Sequence, residues 1–126
     1  MVLVFGGKYQ GKLDYAVKIF NLNEADVYKC SDENIIMPGG KNIIYEIDKW
    51  ILSLVKKELD VEKLVQEFIE NNKNAVVICN DISSGVVPTD PVLRKWREAV
   101  GRTMTALSKS SSEVIRLFCG IPTRIK

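Results

Sequence analysis

Residues 2–12, V-L-V-F-G-G-K-Y-Q-G-K, run from an apolar stretch through a glycine-rich turn into a helical pattern. Val2 to Phe5 reads as a buried strand. Gly6-Gly7-Lys8-Tyr9-Gln10-Gly11-Lys12 fits G-x-x-x-x-G-K. Strand, turn and helix in direct succession confine the start of the chain to a βα unit. That is also the setting of a phosphate-binding loop, where backbone N–H groups and one lysine surround phosphate oxygens at a helix N-terminus. The next position should carry Ser or Thr, whose hydroxyl binds Mg²⁺. Here it is Leu13. A glycine-rich turn with no ligand accounts for the same residues.

Further strands are expected over residues 26–30, 42–46, 75–79 and 114–119, with a short last one over 123–125. Helical stripes lie between them. Leu13, Ala16, Val17 and Phe20 share one face at 3.6-residue spacing, and Ile47, Ile51, Leu54 and Val55 another. Val61, Leu64, Val65, Phe68 and Ile69 form a third stripe, with Asp60 as its N-cap. The longest helix runs from Pro91 to about Lys109 and turns Leu93, Trp96, Val100, Met104 and Leu107 inward. Asp90-Pro91 starts it, an N-cap followed by proline at the first helical position. Strands alternating with helices predict one α/β domain over residues 1–126, a mostly parallel sheet covered on both faces. Residues 31–41 and 80–89 are irregular loops. The second leaves the C-terminal end of a strand, where loops commonly carry function.

The chain has 126 residues, enough for one domain with a real core, and a net charge of +2. So small a charge argues against nucleic acid or an anionic membrane as partner. No apolar run approaches the ~20 residues that span a bilayer, and Met1 leads straight into the first strand, so a cytoplasmic location is expected. Cys30, Cys79 and Cys119 lack metal-type spacing and read as small buried thiols. The chain contains no histidine, which excludes a histidine base, metal ligand or nucleophile.

The second half carries a longer pattern. Asn80 to Pro88, N-D-I-S-S-G-V-V-P, resembles N-E-V-G-x-G-I-V-P of the adenosylcobinamide kinase / adenosylcobinamide-phosphate guanylyltransferase family of cobalamin biosynthesis. Arg94-Lys95-Trp96-Arg97 resembles its R-x-F-R segment and Gly101-Arg102 its G-R. Ser112-Glu113-Val114 is similar to A-D-E-V, and Gly120-Ile121-Pro122 through Lys126 to the ending G-x-P-x-x-x-K. At the front, Gly6-Gly7 and Gly11-Lys12 match G-G-x-x-x-G-K-S, and Val27-Tyr28 resembles V-x-Y-I-A-T. Ile44-Tyr45-Glu46 and Leu52-Ser53 line up with V-D-C-L-T-L-W-L-S. The resemblance implies a P-loop NTPase-like (RecA-like) fold, GTP or ATP with Mg²⁺, phosphoryl transfer to a cobinamide-type corrinoid, and a trimer. The departures are specific. Leu13 replaces the Mg²⁺-binding serine, and Met104-Thr105 replaces N-Q. Residues 31–41 replace a long segment that bears the histidine carrying the guanylyl group.

The resemblance therefore implies that guanylyl transfer is lost and phosphoryl transfer impaired; whether the chain is an enzyme stays open. The other reading is a nucleotide-binding or regulatory protein that kept the fold without the chemistry. Lys12 and Glu46 are the candidate catalytic residues. Gly6, Gly7, Lys8, Gly11, Lys12, Asn80 and Asp81 are the candidate nucleotide-binding residues; no residue is assigned as a direct metal ligand. Glu46 ends a strand where it either holds Mg²⁺ through water or caps the next helix. Asn80 and Asp81 stand beside the active site or make Asx turns. Arg94, Lys95, Arg97 and Arg102 either steer anions or form a solvated helix face. Tyr9 either stacks on a base or lies exposed. Homo-oligomerisation is expected through faces near Trp50 and Trp96 that the shortened chain leaves uncovered.

Overall fold

The computed structural model describes residues 1–82 and 85–126. Its strands are β1 (Val2–Gly6), β2 (Val27–Lys29), β3 (Ile43–Tyr45), β4 (Val76–Asn80), β5 (Glu113–Phe118) and β6 (Ile121–Arg124). Its helices are α1 (Lys12–Ile19), α2 (Ile47–Lys56), α3 (Val61–Asn71) and α4 (Pro91–Ser110). The six strands form one sheet in the order β2-β3-β4-β1-β5-β6. All pairings are parallel except β5 with β6. The strand that precedes the glycine-rich turn is thus separated from β3 by β4, as a RecA-like sheet requires.

Alternation along the strands sorts the core into two layers. Leu3, Ile44, Val77, Cys79 and Val114 face α2, α3 and α4. Val4, Ile43, Val76, Ile78 and Ile115 face Ala16 and the apolar side of α1. Both faces are covered, so the central strands read as continuous apolar runs rather than alternating ones. Because α1 lies on one face and α4 on the other, the chain leaves β1 and β4 in opposite directions. These two strands are neighbours, with Gly6 level with Asn80. The crevice between their C-terminal ends is a topological switch point, the place where open α/β sheets bind ligands.

Local signals set the helix ends. The Asp60 side chain accepts from the Lys63 N–H at 3.2 Å, and that of Asp90 from the Val92 N–H at 2.8 Å, with Pro91 following. Trp50 and Phe68 pack at a 5.6 Å ring separation. Trp50 is 1% exposed, so the expectation of an uncovered face there is corrected. The cover comes from the loop 31–41. Trp50 Nε1 donates to the Ile35 carbonyl at 3.2 Å, and Ser53 Oγ to the Asn34 carbonyl at 3.1 Å. A short irregular segment thus closes the core over Trp50.

Three further expectations change. Leu93 lies exposed in the first turn of α4 rather than inward. Cys119 is exposed, because with Gly120 it makes the two-residue turn of the β5–β6 hairpin. Both have positive φ, 51° and 76°, as the right-handed twist of a tight hairpin demands. The last strand begins at Ile121, set by that turn, and runs antiparallel. β6 is an edge strand exposed along its whole length. Phe118 and Ile121 close the turn, so the nitrogen of Pro122, one residue further on, faces the open edge. It has no hydrogen to donate there, which blunts strand addition.

At Gly6 the sheet has no room for a side chain. A Cβ there would stand 2.3 Å from the Leu117 carbonyl oxygen of β5. Gly6→Ala must push β1 and β5 apart beneath the loop. It should lower unfolding free energy by about 1–3 kcal/mol in urea; an unchanged midpoint would show that the strands part freely.

Candidate functional site

A cleft of about 490 Å³ opens above the ends of β1, β3 and β4. It is lined by Lys8, Tyr9, Gln10, Gly11, Lys12, Leu13, Asp14, Tyr45, Glu46, Lys49 and Asn80. The glycine-rich loop forms one wall. Gly11 ends it with φ of 81°, a conformation that glycine takes without strain, and serves as the N-cap of α1 without a side-chain bond. Gln10 is pinned from below, its Oε1 accepting from the Cys119 N–H. The tip, Tyr9, is fully exposed.

Lys12 sits at the base of the cleft, only 5% exposed. Its ammonium donates to the Gly7 carbonyl at 2.6 Å and so holds the loop closed on itself. Burial lowers its pKa, while Asp48, Cys79 and Glu46 pull it back up. Opposite stands a set of acids. Glu46 follows β3 with φ 58° and ψ 51°, left-handed for a residue with a side chain, a cost usually met at functional sites. Its carboxylate does not cap α2. It pairs with Lys49 Nζ at 3.1 Å and accepts from Asn80 Nδ2 at 3.5 Å.

Asp48, in the first turn of α2, is 1% exposed. Its oxygens accept from the Asn80 backbone N–H at 3.1 Å and from Asn80 Nδ2 at 3.3 Å. Burial raises its pKa, and the bonds from Asn80 work against that rise. Its backbone carbonyl accepts from Trp96 Nε1 at 2.7 Å, which ties α4 to α2. Asp48 was not among the residues singled out from the sequence. The signal was present in Tyr45-Glu46-Ile47-Asp48, a second acid two residues after the first. It was hidden because Asp48 falls inside an apolar helical stripe.

Of the candidate residues, Lys8, Gly11, Lys12, Glu46 and Asn80 converge on the cleft. Gly6 and Gly7 lie beneath it, where close packing and the Lys12 contact use their backbone. Asp81 is set back at the end of β4, its N–H donating to the Gly6 carbonyl at 2.8 Å. The α4 cations do not reach the cleft. Arg94 donates to the Pro88 and Thr89 carbonyls, and Arg97 to those of Gly85 and Val86. Arg102 pairs with Glu62 and Glu98, and Lys95 lines a separate groove. Ser83 and Ser84 of the 80–88 motif lie outside the described residues. That separate groove, about 1180 Å³ between α3 and α4, is larger but contains no residue of the glycine-rich loop and neither Glu46, Asn80 nor Asp81. The smaller cleft is the candidate site because it lies at the switch point and gathers charge.

The cleft does not supply a ready Mg²⁺ site. Leu13 stands where the hydroxyl ligand belongs and packs into the apolar layer under α1. The Glu46 Oε2 is engaged by Lys49 and Asn80, and both Asp48 oxygens by Asn80. Among the described residues, no group of three or more His, Cys, Asp or Glu is arranged to hold a metal ion. The buried thiols offer no nucleophile: burial pushes Cys30 up to about 12 and Cys79 well above its ordinary range.

The family model for cobinamide kinase / cobinamide phosphate guanyltransferase matches residues 40–125. That span is most of the chain and includes Glu46, Asp48, Asn80 and α4. The chain belongs to this family, which acts in cobalamin biosynthesis. No curated protein matches the chain in a sequence search.

Replacing Asp48 tests the frame of the site. Asp48→Ala leaves the buried Asn80 N–H unpaired, which should cost about 1–3 kcal/mol of stability in denaturant titration. A wild-type unfolding curve would mean that Asn80 finds another partner.

Proposed function

We propose that this family member binds a nucleoside triphosphate, GTP or ATP, in the cleft between the glycine-rich loop and Glu46. The observation that carries this reading is Lys12: a nearly buried ammonium at the head of α1, beneath a loop that ends in a left-handed glycine. A lysine is costly to bury without an anion to meet. The first turn of α1 adds N–H groups and the positive end of its dipole, both favourable to phosphate. The cleft volume is also in the range of small-molecule sites.

Phosphoryl transfer to a cobinamide-type alcohol is the family's kinase chemistry, and in this chain it runs impaired. Such transfer depends on positioning and on neutralising charge at the phosphates. Lys12, the loop N–H groups and Lys49 position and neutralise. Leu13 offers nothing to either task. Guanylyl transfer is absent, because the family's covalent guanylyl intermediate forms on a histidine and the chain has none. The packing of Leu13 into the core layer also supports a second reading, in which the chain binds nucleotide and no longer turns it over.

Lys12→Ala removes a charge-assisted contact and should weaken GTP or ATP binding by about 1.5–3 kcal/mol in calorimetry. Unchanged affinity would reduce the loop to a turn. Leu13→Ser restores the missing hydroxyl, and Mg²⁺ should then strengthen binding more than it does in the wild type. Incubation with radiolabelled GTP should leave no acid-labile protein–GMP adduct. A stoichiometric adduct would contradict the loss of the second activity. Single-turnover transfer of γ-phosphate to cobinamide separates the two readings: slow product supports the impaired kinase, and none supports the binding protein.

A further inference from the structure

We infer that the cleft holds the phosphates of its ligand by lysine charge without a divalent cation, with the Lys49 ammonium occupying the place on Glu46 that a metal ion would take. This rests on the reading of the cleft as a phosphate site and goes beyond it by naming the counter-charge. Three observations carry it. The first is the Glu46–Lys49 pair at 3.1 Å, which is built into α2 by its i,i+3 spacing. The second is Leu13, which removes the hydroxyl that would share a metal with the ligand. The third is the charge around the cleft: Lys8, Lys12 and Lys49 face Asp14 and Glu46, while Asp48 is buried behind and engaged by Asn80.

Magnesium demands near-octahedral oxygen ligands at about 2.0–2.1 Å. To bind Glu46 through Oε2 it would have to displace an ammonium held by a charge-assisted hydrogen bond. That bond raises the Lys49 pKa, so the side chain stays charged at neutral pH. An ammonium has three donors. One meets Glu46, and Lys49 also lines the cleft, so its other donors can face a phosphate oxygen while Glu46 orients it. Lys12 approaches the same space from the loop side. Two lysines converging from α1 and α2 supply the charge neutralisation that a metal ion supplies in related loops.

The experiment is calorimetric titration of the full chain with GTP and with inorganic triphosphate, each in EDTA and in Mg²⁺. Wild-type dissociation constants in the two buffers should agree within about threefold. Lys49→Ala should weaken binding in EDTA about tenfold or more. Mg²⁺ should recover part of that loss, because the Lys49 ammonium no longer occupies Glu46. Lys49→Arg, which keeps the charge, should bind as the wild type does, and circular dichroism checks that each variant is folded. EDTA-sensitive binding by the wild type overturns the inference while leaving the phosphate site standing. So does a Lys49→Ala affinity in EDTA equal to that of the wild type. If neither ligand binds in either buffer, the phosphate site itself falls, and this inference with it.

Discussion

The buried carboxylate of Asp48 is the point on which the site hangs. A carboxylate at 1% exposure is expensive unless every oxygen is met by a donor. Asn80 meets both, with its backbone N–H and its amide. The end of β4 is therefore fastened to the first turn of α2. Through the carbonyl of the same residue and Trp96, α2 is fastened to α4. The Asn80 amide then reaches Glu46, which in turn orients Lys49. One buried charge thus sets the position of the acid and the lysine that line the cleft from the α2 side.

The loop side depends on close packing instead. Gly6 presses against the Leu117 carbonyl, and the Asp81 N–H returns to the Gly6 carbonyl at 2.8 Å. Loop, β4 and β5 are then in register before any ligand arrives. Lys12 closes the loop through Gly7, so its charge is aimed at the cleft but already partly engaged. A ligand phosphate must compete with one carbonyl, which is a weaker acceptor than an ionised oxygen. On the proposed reading the site is pre-organised for an anion and poorly equipped for a metal, and both properties follow from residues that also stabilise the fold.

Much of this was legible in the residue pattern. Apolar runs bounded by glycine or asparagine marked β1, β3, β4 and β5 within a residue or two, because strands buried on both faces leave continuous apolar signals. Asp60 and Asp90 announced their helices because a cap is a local interaction. Lys12, Glu46 and Asn80 stand out in the sequence because they end strands or begin a helix. What stayed hidden depended on tertiary contact. Asp48 looks like one polar residue in a helical stripe, and only the approach of Asn80 gives it a role. Glu46 looked able to cap α2, but its left-handed backbone aims the side chain into the cleft. Trp50 looked uncovered because nothing in the spacing of residues 31–41 says that they fold over it. The α4 arginines read either as anion-steering charge or as a solvated helix face, and two of them instead brace the 85–89 loop through its carbonyls.

The central claim is that phosphates bind at the junction of the glycine-rich loop with α2 and β4. The most direct measurement is a backbone amide NMR titration of labelled protein with GTP. The account predicts that the largest shifts fall on Gly7 to Leu13, with smaller ones at Glu46, Lys49 and Asn80. Shifts confined to the α3–α4 groove, or none at millimolar GTP, would contradict it.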